Sequence, residues 1–191
     1  MLFNTIDFMI FFFVVIGLIA ILKYRRFQHL YIIFASFFFI YYTDNYLVAL
    51  LLYTILLHYY TGREIHKADS KARKKIFLVI GIAGSLGLLG FFKYADFAIA
   101  QFNIFGNIMD LGSEIPLMNL ALPIGISFYS FQSISYIIDI YRGSLTPSKT
   151  LREYAFFVAF FPTLVAGPIL RAKQFLPQLR EKIEEVGTTG R

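Results

Sequence analysis

The stretch IFLVIGIAGSLGLLGFF, Ile76–Phe92, decides the class of this chain. It carries no charge, yet Lys71, Arg73, Lys74 and Lys75 precede it and Lys93 follows. Gly81, Gly84, Gly87 and Gly90 recur at every third position, with Ala83 and Ser85 among them. In hydrocarbon, helices associate by close packing rather than by excluding water, and small residues let their backbones approach. The pattern therefore predicts a helix buried in a membrane bundle, with the glycines as a packing seam. A conducting path along the glycines is the alternative.

Five more apolar runs flank this one: Leu2–Leu22, Leu30–Tyr42, Tyr46–Tyr60, Leu120–Ile140 and Tyr154–Leu170. The 191 residues are 58% hydrophobic and 16% charged, and the mean hydropathy is +0.64. Soluble domains carry about 45–50% apolar and about 25% charged residues, so the chain reads as an all-α, polytopic transmembrane helical bundle. The net charge of +6 sits in Lys and Arg that flank apolar spans. That placement suits topology signals and lipid headgroups, not nucleic acid. With no cysteine there is no disulfide and no thiolate ligand or nucleophile. The N-terminal run ends in Lys23-Tyr24-Arg25-Arg26 instead of a small-residue cleavage site, which argues against a removable signal peptide.

Leu30–Tyr60 is too long for one ordinary crossing, and Thr43-Asp44-Asn45 supplies a turn between two short helices. Basic residues crowd Lys23–His29, Thr61–Lys75 and Tyr141–Glu153, whereas Lys93–Asn119 holds only Lys93. The positive-inside rule then puts the N-terminus outside and the C-terminus in the cytoplasm. Pro162, Gly167 and Pro168 break the run Tyr154–Leu170, so it is expected to be re-entrant or broken. Asp96–Leu111, punctuated by Gln101, Asn103, Gly106 and Asn107, is expected to lie along the outer surface or dip partway in. Residues 1–179 read as the membrane domain and 180–191 as a polar tail at a truncation point. No 20–50-residue repeat is visible, which argues mildly against repeat-built transporters.

Polar residues recur through LPIGISFYSFQSISYIIDIYRG, Leu122–Gly143. As a helix, it places Gln132, Ser135 and Asp139 on one face, while Ser127, Ser130 and Ser133 form a second, small stripe. Such groups face protein or water, not lipid. Two readings stand open. Gln132 and Ser135 join helices while Asp139 sits at the inner interface near Arg142, or Ser127, Gln132, Ser135 and Asp139 line a polar path. The three histidines offer no paired metal-ligand spacing, and no phosphate-binding glycine loop is present. His58, beside Tyr59 and Tyr60, reads as an interfacial anchor at the end of a short helix.

Three blocks together carry a resemblance: LGLLGFFKYADF (Leu86–Phe97), LPIGISFYSFQSISYIIDIYRG, and FFPTLVAGPILRAKQFLPQL (Phe160–Leu179). In this order they resemble the membrane-bound O-acyltransferase (MBOAT) family, in its alginate O-acetyltransferase-like branch. The resemblance implies the N-terminal half of that fold. It also implies transfer of an acetyl or similar acyl group from a cytoplasmic donor to a hydroxyl of an extracytoplasmic polysaccharide or wall polymer. The donor, acetyl-CoA or an acyl-carrier thioester, would be a substrate, and no bound cofactor or metal is expected. A partner protein outside the membrane would complete transfer. The family's histidine lies in a Trp-His-Gly block that this chain, with no tryptophan, does not contain. No catalytic residue is therefore assigned, and the chain alone is expected to be inactive. Arg142 and Arg171 fall in matching blocks on the expected inner side, where forked guanidinium donors suit donor phosphates or simply anchor the helices. A transporter or channel subunit, or a scaffolding membrane fragment, is the alternative.

Overall fold

A computed structural model describes residues 5–22, 25–43, 47–109, 114–120, 125–160 and 170–179. Described in this way, the chain is all-α. Its helices are α1 (Ile6–Ile21), α2 (Arg25–Thr43), α3 (Leu47–Lys67), α4 (Lys71–Ile108), α5 (Ile126–Tyr141), α6 (Leu151–Ala159) and α7 (172–179).

Local chemistry sets several of these ends. Thr5 Oγ1 accepts from Phe8 N, Ser70 Oγ from Arg73 N and Thr150 Oγ1 from Glu153 N, so three helices begin on a side-chain cap. Glu153 reaches back to the Lys149 N–H at 2.8 Å, a close variant of the reciprocal capping box. α2 ends at Thr43 and α3 begins at Leu47, and the rest of the expected turn, Asp44 and Asn45, lies outside the described residues.

Two expectations about length need correcting. The helix expected to stop at Tyr60 continues to Lys67, because Thr61, Gly62 and Ile65 still pack inward while Arg63 and Glu64 are only half covered. The chain also does not turn after Phe92. α4 runs on through the segment expected along the outer surface, reaching 38 residues, or about 57 Å at 1.5 Å per residue. Asp96 and two of the polar residues that seemed to punctuate this part, Asn103 and Asn107, share one stripe, where they bind the segment 114–120, while Gln101 lies off it. Asn103 bonds both the N–H and the carbonyl of Ile115, at 2.9 and 2.7 Å. Asp96 accepts from three successive N–H groups, those of Met118, Asn119 and Leu120. α4 is the one described helix long and apolar enough to cross a membrane, with shorter apolar helices at Ile6–Ile21 and Leu30–Tyr42. The expected re-entrant run lies mostly, and the 180–191 tail wholly, outside the described residues.

Helices α3, α4 and α5 pack on one another as the centre of the bundle, α6 closes on α2 and α3, and α1 packs on α2. Leu51, Ile55, Ile65, Ile126, Tyr136, Ile137, Tyr154 and Phe157 form the main core. Only half of the glycine repeat is a seam. A Cβ on Gly81 would stand 2.6 Å from Ile137 Cδ1, and one on Gly84 would stand 2.5 Å from Leu57 Cδ2. Gly87 and Gly90 meet nothing within 4 Å among the described residues. Among the described residues, the helices converge at the Gly81–Gly84 end of the repeat.

Candidate functional site

Among the described residues, buried polar side chains bond from one helix to another on α5 and at His58. Helix α5 starts at Gly125, whose φ of 79° is a left-handed conformation that only glycine adopts without strain. Tyr129, Ser130, Gln132, Ser133 and Tyr136 are all buried. Gln132 points at α6 and donates from Nε2 to the Phe157 carbonyl at 3.0 Å. That carbonyl lies in the last turn of a nine-residue helix whose final residues, Phe157, Val158 and Ala159, are almost wholly buried. The last carbonyls of any helix lack partners within it, so a helix ending inside the bundle needs donors from elsewhere. Gln132 supplies one.

The other sequence-derived candidates are arranged differently. Ser135 is half-buried and donates to the Gln132 carbonyl of its own helix at 2.8 Å. Asp139 is half-buried, and Ser144 folds over it: the Ser144 N–H and hydroxyl donate to the Asp139 carbonyl at 3.0 and 3.1 Å. Ser127 is half-buried near the opposite end of α5, about 18 Å from Asp139 along the axis. Arg142 is exposed and caps α5, its N–H bonding the Ile138 carbonyl. Arg171 is exposed at the start of α7, where its carbonyl accepts from Gln174 N and Phe175 N. The structure therefore joins Gln132 to Ser135 through one carbonyl, and places Asp139 and Arg142 at the same end of α5.

Sequence reasoning missed the aromatic hydroxyls that face this stripe. Tyr154 of α6 packs on Tyr136 with ring centroids 4.5 Å apart and planes tilted by 34°, and its hydroxyl comes within reach of Ser133. Neither Tyr154 nor Ser133 makes a hydrogen bond of good geometry, and the hydroxyls of Tyr129 and Ser130 also lack a partner. A buried hydroxyl without a partner costs about 1–3 kcal/mol. Four of them together would rival the whole net stability of a domain, about 5–15 kcal/mol. The signal in the sequence was the spacing of Tyr129, Ser133 and Ser130. Nothing local announced Tyr154.

The second place is His58. It is not the interfacial anchor that its neighbours suggested, because the ring is fully buried in the middle of α3. Nδ1 lies 2.9 Å from the Thr54 carbonyl, and Nε2 lies 3.2 Å from Ser85 Oγ on α4. A carbonyl can only accept, so Nδ1 carries the proton and Nε2 accepts from Ser85. Both ring nitrogens are thus occupied. Among the described residues, no three His, Asp or Glu side chains gather as metal ligands do.

The chain has relatives of known kind. A peptidoglycan O-acetyltransferase from Helicobacter pylori is 32% identical, over 95% of this chain and 39% of its own length. A probable alginate O-acetylase AlgI from Pseudomonas aeruginosa is 37% identical, over 85% of this chain and 31% of its own length. These matches support an acyltransferase like those of the membrane-bound O-acyltransferase (MBOAT) family. The chain spans between 31% and 39% of the length of these two relatives. A shorter match, 34% identical over 32% of this chain, is to a teichoic acid D-alanyltransferase from Bacillus subtilis. Neither a family model nor a solved structure matches the chain. The shared activity of the relatives is acyl transfer, which makes this an acyltransferase family. Their names give peptidoglycan, alginate and teichoic acid as what they act on.

Proposed function

We propose that the chain forms part of a multi-pass enzyme of the bacterial cytoplasmic membrane that moves an acetyl group onto a hydroxyl of an extracytoplasmic polysaccharide or wall polymer. The observation that carries this reading is the match to O-acetyltransferases over nearly the whole chain. In this reading the N-terminus is outside and the C-terminus is cytoplasmic. α4 crosses the bilayer from the basic cluster Lys71–Lys75, and its far end with segment 114–120 emerges on the acceptor side. The donor, a thioester such as acetyl-CoA or an acyl-carrier thioester, approaches from the cytoplasm, and a partner protein outside relays the group to the polymer.

No residue of this chain is assigned as the catalytic base. His58 is held by Thr54 and Ser85 and has no nitrogen to spare for a hydroxyl proton. What the chain supplies is architecture and recognition. Arg142 and Arg171 are both exposed, and a guanidinium fork fits phosphate oxygens two at a time. Ser127, Ser135 and Asp139, all half-buried, would line a polar path along α5, with Gln132 fixing that helix against α6.

A chimera tests the reading. This chain replaces the matching segment of the Pseudomonas aeruginosa alginate O-acetylase, and acetylation of alginate is measured in cells. Acetylation should persist, and Arg142→Ala or Arg171→Ala should lower it without lowering membrane levels. A chimera present at normal levels in the membrane, yet giving unacetylated alginate, would sink the proposal. If Arg→Lys changes leave donor binding intact, the guanidinium role falls and simple anchoring by charge takes its place.

A further inference from the structure

Buried hydroxyls in this bundle behave in two ways. Ser36, Thr54 and Thr61 turn back onto their own helices and donate to the carbonyls of Ile32, Leu50 and Leu57, at 2.8, 3.0 and 2.8 Å. Such back-bonding is how a helix hides a hydroxyl among apolar neighbours. Ser130 and Ser133 of α5 do not follow it. Both are 0% exposed and neither Oγ has a hydrogen-bond partner. The hydroxyls of Tyr129, 3% exposed, and Tyr154, 0% exposed, are in the same position.

Three of the four adjoin on one helix. Ser133 lies four residues from Tyr129 and three from Ser130, so all share one face of α5. Tyr154 comes from α6, within reach of Ser133, and the Gln132 bond to the Phe157 carbonyl fixes the two helices against each other. We propose that Tyr129, Ser130, Ser133 and Tyr154 form a hydrated site between α5 and α6 that holds ordered water.

The chemistry of the group selects this occupant. Each hydroxyl donates one hydrogen bond and accepts up to two, so the ligand must do both. An apolar molecule would leave all four unsatisfied. A charged one would find no counter-charge among the four hydroxyls, and the Glu153 carboxylate of α6 already accepts from Lys149 N. A buried water with about three polar partners fits the arrangement. The site also answers a structural need. α6 ends inside the bundle, and a broken helix end is tolerated there when side chains and water together partner its carbonyls. This inference concerns the seam alone and does not depend on the reaction.

Radiolytic hydroxyl labelling of the full chain in nanodiscs tests it, because bound water generates radicals where it sits and marks the side chains around it. Tyr129 and Tyr154 should be labelled several-fold faster than Phe39, an aromatic ring equally buried at 3% exposed in the α1–α2 cluster. Ser133→Ala should slow labelling of Tyr154 and leave Phe39 unchanged. Equal rates at Tyr129, Tyr154 and Phe39 would overturn the proposal. Tyr154→Phe gives a second reading by its sign. If the hydroxyl is hydrated, removing it lowers the thermal midpoint. If it is dry, removing an unpaired group leaves the midpoint unchanged or raises it, and either result overturns the proposal.

Discussion

Ser85 Oγ on α4 donates to His58 Nε2 on α3 across 3.2 Å, and both groups are wholly buried. The bond ties together two helices that already meet through Gly81 and Gly84, so small residues bring the backbones close and a polar pair fixes their register. Interhelical hydrogen bonds of this kind contribute about 0.6–1.7 kcal/mol in membrane bundles. Ser85→Ala leaves Nε2 buried without a donor and should lower the thermal midpoint by several degrees. His58→Ala also opens a cavity and should cost more, about 2–4 kcal/mol. The double variant should be less destabilised than the sum of the two, because the shared bond can be lost only once. Strict additivity in thermal melts would show that the pair does not couple.

The glycine repeat divides into two halves with opposite expectations. Gly81→Leu must displace Ile137 and Thr61, and overpacking of this sort costs about 1–3 kcal/mol. Gly87→Ala and Gly90→Ala meet nothing within 4 Å among the described residues and exchange a flexible residue for a strong helix former. They should be neutral or stabilising by up to about 1 kcal/mol. Melting curves of the three variants separate the cases. A loss at Gly87 equal to that at Gly81 would mean that the whole repeat is a seam.

The limits of the sequence reading follow from what each signal measures. The break between α2 and α3 was legible because Thr43-Asp44-Asn45 interrupts an apolar run with residues that favour turns. The length of α4 was not, because Asp96, Asn103 and Asn107 look like interruptions when counted singly. Their spacings of seven and four put them on one helical stripe, but the residues they bind lie seven to 24 residues onward. Likewise the two stripes on α5 follow from periodicity, whereas the partner of each does not. Gln132 finds a carbonyl 25 residues away, and the small stripe meets a tyrosine on another helix. His58 was misjudged because adjacent tyrosines suggested an interface. Its partners, Thr54 and Ser85, lie four and 27 residues off.

Asp96 holds the segment 114–120 against α4. Its carboxylate receives the N–H groups of Met118 at 2.8 Å and of Asn119 and Leu120 at 3.3 Å each, with Asn119 in a left-handed turn at φ 49°. Bonds to an ionised acceptor are stronger than neutral ones, but these are mostly exposed and compete with water. Asp96→Ala should therefore speed amide exchange at positions 118–120 by roughly tenfold, equivalent to about 1.4 kcal/mol, with little change in global stability. Asn103→Ala should instead free the Ile115 amide alone. Unchanged exchange at residues 118–120 in Asp96→Ala would show that the segment is held by other contacts.

Gln132 is the residue on which the two readings of α5 differ in outcome. Its amide serves the end of α6, so Gln132→Leu, close in volume but without a donor, leaves the Phe157 carbonyl buried and unpaired. The expected cost is about 1–3 kcal/mol in stability. Gln132→Glu keeps the shape but removes the donor from an ionised side chain and buries a charge, so it should cost more. Ser135→Ala removes only a bond within α5 and should leave stability almost unchanged. Acetylation by the chimera, normalised to protein in the membrane, then separates support from path. If Gln132 acts only by holding α6, activity should fall in proportion to folded protein, and Ser135→Ala should be silent. If the α5 stripe lines a path for a polar substrate, Ser135→Ala should depress acetylation per folded molecule despite its intact stability. A silent Ser135→Ala would remove that residue from the path and leave α5 a structural helix at this level.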